Sequence, residues 1–378
     1  MSAGVEVAPV ATKGDLERFI RLPMRLMAGD PNYVAPLMME RREALSPRHN
    51  PFFEHAEAQF WLARRQGRDV GRISAQIDHL AKTDPQAPDG FFGMIAAEDD
   101  AEVFAALFAA AEAWLKARGR TRAVGPMNLS INEEVGLLID GRETPPMLLM
   151  GHDPAYAAPR IEEQGYVKAK DVFAYVSGEP TFTPGVEASL ERPLPKGMVL
   201  RPVNMRRFDA EVATLVEILN DAWSENWGAA PVTETETRHM ANSLKLLIHP
   251  RLVWFVEIDG EAAGFGVLLP NLNDAIADLN GRLLPFGWAK LLWRLKVKGI
   301  KRGRVPLMGV KRKFARDRRG ILAPFAILGA MRREGLKLKM IEAEYSWILE
   351  DNMPMRHILE SFGARIYKTY RIYQKALA

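Results

Sequence analysis

A dense group of cations follows a short apolar run in the last third of the sequence. The run Val305–Val310 is predicted to be a buried strand. Basic residues then lead to Gly320, and apolar residues recur at helical spacing from Ile321 to Arg333, up to Gly335. A strand, a cationic turn that contains glycine, and a helix start offer unpaired N–H groups and positive charge. The chemistry that this spacing predicts is the binding of a phosphate or pyrophosphate group.

The elements that would position this site come after it in the chain. A second strand is predicted over 338–349, followed by a helix from Asn352 to about Phe362, then Gly363 and a last strand over 366–374. On the first of these strands, period-2 alternation places Glu342, Glu344 and Ser346 on one face. A carboxylate on a half-buried strand is costly unless it is paired or used.

Composition limits the class of protein. The 378 residues are enough for two domains, and 48% hydrophobic with 26% charged residues is typical of a globular protein. The absence of Cys excludes disulfides and favours a cytoplasmic location, and no signal peptide or membrane-spanning run is predicted. The seven His show no spacing that would bind a metal. From Lys290 to Arg319 there are thirteen Lys/Arg and one acid, which predicts a polyanionic partner such as CoA phosphates, anionic lipid or nucleic acid.

The two halves of the sequence repeat each other in order. Pro9 and Pro202 lie in predicted strands and differ by 202 − 9 = 193 positions. Trp61 and Trp254, inside predicted hairpins, differ by the same 254 − 61 = 193 positions. We therefore predict two copies of one α/β unit over 1–185 and 196–378, joined by a Pro- and Gly-rich linker, with an insertion at about 271–304.

The two copies differ at the position of the predicted anion site. In the N-terminal copy, Glu98, Asp99 and Asp100 stand at the corresponding helix start. Acids there cap a helix well but would repel a pyrophosphate. Capping is the favoured role for Asp99 and Asp100. The N-terminal copy is therefore expected to have lost the anion site, and the C-terminal copy to keep it.

The order of strand, cationic turn, helix and splayed strand resembles the GNAT superfamily of CoA-dependent N-acyltransferases. The resemblance implies an α/β (α+β) fold, a tandem duplicated GNAT fold with mixed central sheets flanked by helices. It also implies an acyl-CoA co-substrate, while the expectation of no metal comes from the His spacing alone. The family turn has Arg or Gln three residues before its glycine, where this sequence has Asp317, and a Tyr at the position of Leu359. The cofactor-binding candidates that it implies are Gly309, Val310, Lys311, Arg316, Arg318, Arg319, Gly320, Ile321 and Asn352.

The same resemblance suggests which groups move protons. In GNAT enzymes a base accepts a proton from the attacking ammonium, and a backbone N–H binds the oxyanion. Glu344 is the leading candidate for the base, followed by Glu350 or Asp351. Because Leu359 replaces the usual Tyr, the candidate acids are Tyr370, Tyr373 and His357.

Substrate-binding candidates come from polar and aromatic positions elsewhere. Polar residues bunch at a predicted strand end in the N-terminal copy, where a polar loop with a helix cap is a slightly favoured alternative: Asn128, Ser130, Asn132, Glu133 and Glu134. Asn132 and Glu133 are the substrate-binding candidates among them. Trp223 and Trp227 are four residues apart and, with Asn226, would line a substrate mouth if the helix persists; core aromatics are an equal alternative.

The insertion has the character of an interfacial helix. Between Leu283 and Ile300, apolar residues that include Trp288 and Trp293 alternate with Lys and Arg. This favours peripheral contact with an anionic inner membrane about as strongly as a helix folded on its own domain, and Trp288 is also a substrate-binding candidate.

Longer phrases narrow the resemblance to one branch. The stretches GPMNLSINEEVGLLIDG and AEYSWILEDNMPMRHILESFGARIYKTYRIYQK, among others, resemble the bacterial ceramide synthase group of tandem GNAT proteins. This resemblance implies transfer of a long-chain acyl group from acyl-CoA to a sphingoid base, 3-oxosphinganine or sphinganine. The alternatives are an acetyl-CoA N-acetyltransferase that acts on a small amine or protein, a transferase that uses aminoacyl-tRNA, and a non-catalytic acyl-CoA or lipid sensor. Nucleic acid is the less favoured partner, because few stacking aromatics interleave the cations.

Overall fold

The structure is a computed structural model that describes residues 4–178, 185, 190, 192–245 and 247–377. Within these residues the strands are β1 (Glu6–Pro9), β2 (Ala56–Arg65), β3 (Arg68–Asp78), β4 (Asp89–Ala97), β5 (Arg122–Gly125), β6 (Met127–Asn128), β7 (Glu134–Val135), β8 (Leu137–Asp140), β9 (Val167–Ser177), β10 (Met198–Pro202), β11 (Val253–Ile258), β12 (Glu261–Pro270), β13 (Arg302–Val310), β14 (Glu342–Leu349) and β15 (Arg365–Ala376).

The helices over the same residues are α1 (Lys13–Leu26), α2 (Met38–Ala44), α3 (Ala101–Lys116), α4 (Ala157–Glu162), α5 (Phe208–Trp223), α6 (Glu234–Ser243), α7 (Leu272–Ile276), α8 (Gly287–Trp293), α9 (Arg318–Lys337) and α10 (Met353–Ser361). A π-helical turn, Arg294–Lys298, continues α8.

The chain divides into two compact units. Unit 1 comprises Met1–Val172, Ile276–Leu283 and Lys368–Ala378, and unit 2 comprises Phe173–Ala275 and Leu284–Tyr367. The boundary falls within β9 and again within β15. The predicted linker lies mostly outside the described residues, and the division into duplicated copies at 185 and 196 stays a prediction.

In unit 1 the strands lie in the order β1-β2-β3-β4-β5, and the end of β15 pairs with β5. Neighbouring strands are antiparallel except for β4 and β5, which are parallel. Helix α3 packs on this sheet through buried residues such as Phe104 and Leu107. Unit 1 has a second hydrophobic core, to which α1 contributes Phe19 and α2 contributes Met38.

In unit 2 the strands β10-β11-β12-β13-β14 repeat the same succession. The pairs are again antiparallel except for the last, β13 with β14, which is parallel. Helix α9 packs on this sheet through buried Ala323 and Ile327.

The register of the first hairpin is the same in both units. Pro9 lies opposite Trp61 in unit 1, and Pro202 lies opposite Trp254 in unit 2. The hairpin turns also match, because Gln66-Gly67 and Asp259-Gly260 both have positive φ at their two central residues. Such turns follow the right-handed twist of the flanking strands. The residue pairs that the sequence places 193 positions apart are thus equivalent in space within their own units.

Several predicted boundaries were wrong. Helix α9 begins at Arg318 and continues to Lys337, so Gly320 lies in its first turn and Gly335 lies inside it. The helix ends where Lys339 takes a positive φ of 63°, a conformation that terminates helices as glycine usually does. Strand β14 therefore begins at Glu342. The predicted insertion helix starts later, at Gly287, since Pro285 disfavours helical geometry at the residue before it.

Candidate functional site

The start of α9 is closed by its own residues. Asp317 caps the helix, and its side chain accepts a hydrogen bond of 2.7 Å from the backbone N–H of Arg319. A Cβ added at Gly320 would lie 2.0 Å from the carbonyl oxygen of Phe314, so glycine is required there by the close approach of the preceding loop. The hydrogen bonds from Arg319 lower the pKa of Asp317, which is therefore ionised at neutral pH. An anion near this helix start would meet a carboxylate at the cap.

Most cations of the predicted anion site are paired with carboxylates inside unit 2. The pairs are Lys311 with Glu217 at 2.5 Å and Glu261 at 3.0 Å, Lys313 with Glu261 at 2.5 Å, Arg312 with Glu225, and Arg319 with Asp259 at 2.7 Å and Asp317 at 2.8 Å. Burial alone would lower the pKa of Lys311, but the hydrogen bonds to the two glutamates raise it. Arg316 and Arg318 are exposed and make no such pair with a described residue. These two guanidinium groups are thus the ones that remain available to a phosphate.

The other cofactor candidates near α9 lie in the sheet or on the surface of the helix. Gly309 and Val310 lie in β13 and pair with Phe265 and Gly264 of β12. The side chain of Ile321 is exposed on α9.

Asn352 caps α10 by accepting a hydrogen bond of 3.2 Å from the backbone N–H of Met355. An N-cap oxygen used in this way stabilises the helix start.

Glu344 forms a buried polar network. Its side chain and that of Arg304 are both 0% exposed, with the nearest N and O atoms 3.4 Å apart. Arg304 Nε donates to the hydroxyl of Ser346 at 2.8 Å, and that hydroxyl donates to Glu344 Oε1 at 2.6 Å. The hydroxyl of Tyr367 donates to Glu344 Oε2. The predicted alternation of Glu344 and Ser346 is confirmed, and both carboxylate oxygens are occupied within unit 2.

The remaining acid and base candidates are dispersed. Glu350 and Asp351 form the turn after β14, with Asp351 exposed. Tyr370 belongs to unit 1, where its buried hydroxyl donates to the carbonyl oxygen of Gly151 at 3.2 Å. Leu359, at the position of the family tyrosine, is 0% exposed in the core of unit 2. The structure therefore assigns Glu344 and Tyr370 to different compact units.

The substrate-binding candidates of unit 2 are partly exposed. Helix α5 ends at Trp223, so Trp227 lies beyond it and the two do not share a helix face as predicted. The indole of Trp223 donates to the carbonyl oxygen of Met308 at 3.1 Å, and Asn226 donates its backbone N–H to the carbonyl of Trp223 at 2.9 Å. Trp288 is 51% exposed on α8.

The candidates of unit 1 lie in the loop between β6 and β7. Asn132 and Glu133 are both half-buried there, and the backbone N–H of Asn132 donates to the hydroxyl of Ser130 at 3.2 Å.

At the corresponding helix of unit 1, the acidic start acts as a cap. Asp100 accepts hydrogen bonds from the backbone N–H groups of Glu102 at 2.9 Å and Val103 at 3.3 Å. The guanidinium of Arg65, 2.5 Å away, lowers the pKa of Asp100. The predicted capping role is confirmed for Asp100, but it was wrong for Asp99, whose carboxylate instead pairs with Arg160 at 2.8 Å.

A comparison with models of known protein families gives no match. Over all 378 residues, the chain is 61% identical to the protein named bacterial ceramide synthase of Caulobacter vibrioides (strain NA1000 / CB15N) and covers 98% of it. The chain belongs to the bacterial ceramide synthase family. A second relative, protein YghO of Escherichia coli (strain K12), is 45% identical over 367 residues, which are 97% of this chain and 94% of that protein.

Solved structures show the fold of this member of the bacterial ceramide synthase family. A tandem GNAT protein from the clavulanic acid biosynthesis pathway has a TM-score of 0.58 at 14% identity, with 99% of both chains covered. A GCN5-related N-acetyltransferase from Sphaerobacter thermophilus has a TM-score of 0.53 at 13% identity, and the match covers 99% of this chain and 96% of that one. The tandem GNAT fold that the sequence predicts is confirmed.

Sequence reasoning missed four titratable residues of unit 1, Tyr33, Arg41, Arg72 and Asp153, which come from four separate segments. It did include Glu134, in the polar group that also contains Asn132 and Glu133. No spacing rule connects such distant positions. The Gly-His-Asp-Pro stretch around Asp153 was a local signal that could have drawn attention to it.

Proposed function

We propose that this protein is an N-acyltransferase that transfers a long-chain acyl group from acyl-CoA to the primary amine of a sphingoid base, 3-oxosphinganine or sphinganine. The observation that carries the proposal is the 61% identity over the whole chain to a protein named bacterial ceramide synthase. The tandem GNAT fold is consistent with it, since solved structures of that fold include N-acetyltransferases.

The reaction sets clear chemical requirements. The neutral amine attacks the thioester carbonyl, a C–N bond forms, and the C–S bond breaks to release CoA. A group of the protein must accept a proton from the ammonium, and a donor must stabilise the oxyanion. We place the phosphates of acyl-CoA beside α9, where Arg316 and Arg318 are exposed and free of carboxylate partners among the described residues. An anion there would be bound by these two guanidinium groups and less by the backbone N–H groups of the helix start, which Asp317 caps.

The proposal includes peripheral contact with an anionic membrane. Among the described residues, no helix has both the length and the apolar character needed to cross a bilayer. The segment 284–298 nevertheless exposes large apolar side chains, with Leu284 79%, Phe286 78% and Val297 71% exposed. Lys290, Lys296 and Lys298 accompany them in the sequence. Apolar groups beside cations suit the boundary of a negatively charged leaflet, where a sphingoid base would be found.

A turnover assay on the purified full chain tests the proposed function. Acyl-CoAs from acetyl to long-chain are supplied with and without sphinganine or 3-oxosphinganine, and free CoA thiol is measured. We expect release of CoA only when a long-chain donor and a sphingoid base are both present, together with formation of the N-acyl product.

Other outcomes assign the protein elsewhere. Release of CoA from acetyl-CoA with simple amines would contradict the proposal and favour an acetyltransferase. Tight acyl-CoA binding without turnover of any acceptor would favour a sensor.

A further inference from the structure

Five titratable side chains lie together in unit 1, and we call them the unit 1 polar cluster: Tyr33, Arg41, Arg72, Glu134 and Asp153. The charges of the other four side chains all act on the pKa of the Tyr33 hydroxyl. Arg41 and Glu134 approach to 3.6 Å, and the amide of Asn128 donates to Glu134 at 2.7 Å. All five side chains are half-buried, so each keeps some accessible surface.

The segments that carry Tyr33 and Asp153 are fastened to each other within unit 1. His152 Nε2 and a carboxylate oxygen of Asp30 are 2.9 Å apart. The amide of Asn32 donates to the carbonyl oxygen of Arg142 at 2.9 Å, and Arg142 Nε donates to the carbonyl oxygen of Asp153 at 3.0 Å. These contacts hold the residues on either side of the cluster, which gives it a fixed geometry.

Three polar groups of the cluster lack partners among the described residues. Arg72 donates through Nη1 to the carbonyl oxygen of Phe19 at 2.7 Å, but its buried Nε makes no hydrogen bond. Asp153 accepts through Oδ2 from the backbone N–H of Leu138 at 2.9 Å, and its Oδ1 has no partner. The hydroxyl of Tyr33 makes no side-chain hydrogen bond. Buried polar groups are normally paired, so the open Nε of Arg72 indicates a polar ligand, and the half-buried Asp153 and Tyr33 offer such a ligand two further polar groups.

Electrostatics agree with this geometry. Burial raises the pKa of Asp153 to about 6, against the lowering effects of the Leu138 N–H and of Arg142. Burial also raises the pKa of Tyr33 to about 12 and lowers the pKa of Arg72 to about 10. The charged groups that face Asp153 are Arg142, Arg72 and Glu134, with the Tyr33 ring beside them. Arg142, Arg72 and Glu134 carry a net charge of +1, so the raised pKa of Asp153 comes from burial and not from a lack of nearby positive charge. An N–H donor of a ligand that replaces lost water at this carboxylate would stabilise its ionised form.

We propose that the unit 1 polar cluster binds the polar head of the acceptor, a primary amine with a hydroxyl or keto oxygen on a neighbouring carbon. This inference rests on the proposed function and assigns the acceptor site to unit 1. Asp153 offers only an acceptor and Arg72 only a donor, so the ligand must present both an N–H donor and an oxygen acceptor. The ammonium binds Asp153 and Glu134, and the neighbouring oxygen binds Arg72 Nε and the Tyr33 hydroxyl.

The experiment uses the full chain with Asp153→Asn and Tyr33→Phe, and with Asp140→Asn as the matched control. Asp140 is an exposed acid of β8 near Asp153 in the sequence. Loss of a charged hydrogen bond should raise the KM for sphinganine in Asp153→Asn at least about tenfold and leave the KM for palmitoyl-CoA within about twofold. Tyr33→Phe should act in the same direction more weakly, and Asp140→Asn should match the wild type.

Direct binding separates this inference from the proposed function. Sphinganine and octadecane-1,3-diol, which lacks the amine, are titrated without acyl-CoA. The wild type should prefer sphinganine, and Asp153→Asn should lose that preference. The affinity of the wild type for sphinganine should also weaken as pH falls through about 6, since protonated Asp153 carries no charge.

Absence of turnover in the wild type would overturn the proposed function, while the binding comparison would still decide the site. Equal binding of sphinganine by the wild type, Asp153→Asn and Tyr33→Phe would overturn the acceptor site. If Asp153→Asn did not fold, Tyr33→Phe, which removes one hydroxyl, would decide.

Discussion

At the scale of single residues, Asp153 has a consequence for stability that differs from its role in binding. Its pKa in the folded protein is about 6, above the ordinary value of 3.8. Between these values the folded state binds more protons than the unfolded state, so stability rises as pH falls from about 7 towards 4. Above pH 6 the ionised carboxylate costs the fold at most about 3 kcal/mol, from a shift of about two units.

We therefore expect Asp153→Asn to be more stable than the wild type at pH 7.5, by roughly 1–3 kcal/mol. The difference should shrink towards pH 5, where the wild-type carboxyl is already neutral. Thermal unfolding of both proteins and of Asp140→Asn at several pH values measures this. A lower melting temperature for Asp153→Asn at pH 7.5 would show that the carboxylate serves the fold and not a ligand.

Glu344 differs from Asp153 because its buried carboxylate is fully paired within the protein. The sequence shows an acid on a strand, and the rule that such an acid is either paired or used leaves both possibilities open. The structure pairs it with Arg304, Ser346 and Tyr367 inside unit 2. Arg304 and Tyr367 lie on different strands, 40 and 23 positions away. Pairing across a sheet depends on register, which a single sequence does not determine for parallel strands, so the network could not be predicted.

At the scale of elements, sequence periodicity predicted which helices and strands form, but not which of their charged side chains remain unpaired. The helices and strands of the last third were predicted within a few residues, because apolar spacing fixes them. The anion site beside α9 was predicted from the number of cations. Which of them are free could not be predicted, since Glu217 and Glu261 come from other elements and neutralise Lys311.

The segment 284–298 is the element whose exposed face makes the strongest prediction. Replacing Trp288 and Trp293, which are 51% and 53% exposed, with Ala removes the two largest rings of this face. We expect the double variant to bind vesicles that contain about 30% anionic lipid at least about tenfold more weakly, because interfacial binding scales with buried apolar area. Vesicle co-sedimentation at low and high salt measures it.

The matched control replaces two exposed apolar residues outside the segment, Val199 and Ile341, with Ala. It should bind vesicles like the wild type. Equal binding by the tryptophan variant would show that this face packs elsewhere and that the membrane proposal is wrong.

At the scale of the whole molecule, the repeat was predictable and the path of the chain was not. The spacing of 193 positions shared by Pro9/Pro202 and Trp61/Trp254 corresponds to the same hairpin register in both units. The last strand is different, because residues from Lys368 onward belong to unit 1 although they follow unit 2 in the chain. Repeat spacing identifies equivalent segments, but it does not say which unit a terminal strand joins.

This chain path predicts that the fragment 1–185 does not fold by itself. In the full chain, β15 pairs with β5 from Tyr373–Gly125 to Ala376–Arg122, and it also pairs with β8. Buried Lys368 donates to the carbonyl oxygens of Gly141 and Thr144. Without β15, the edge of β5 and these carbonyl groups lose their partners, and unpaired buried backbone groups are costly.

We expect the fragment 1–185 to show no cooperative thermal unfolding by circular dichroism and to be cleaved rapidly by protease. The control is the same fragment with residues 365–378 joined to its C-terminus by a flexible linker, which restores the missing strand. Because Tyr373 and Leu377 also enter the core of unit 1, this control should regain a cooperative transition. Cooperative unfolding of 1–185 alone would mean that β15 completes the unit without being needed for it to fold.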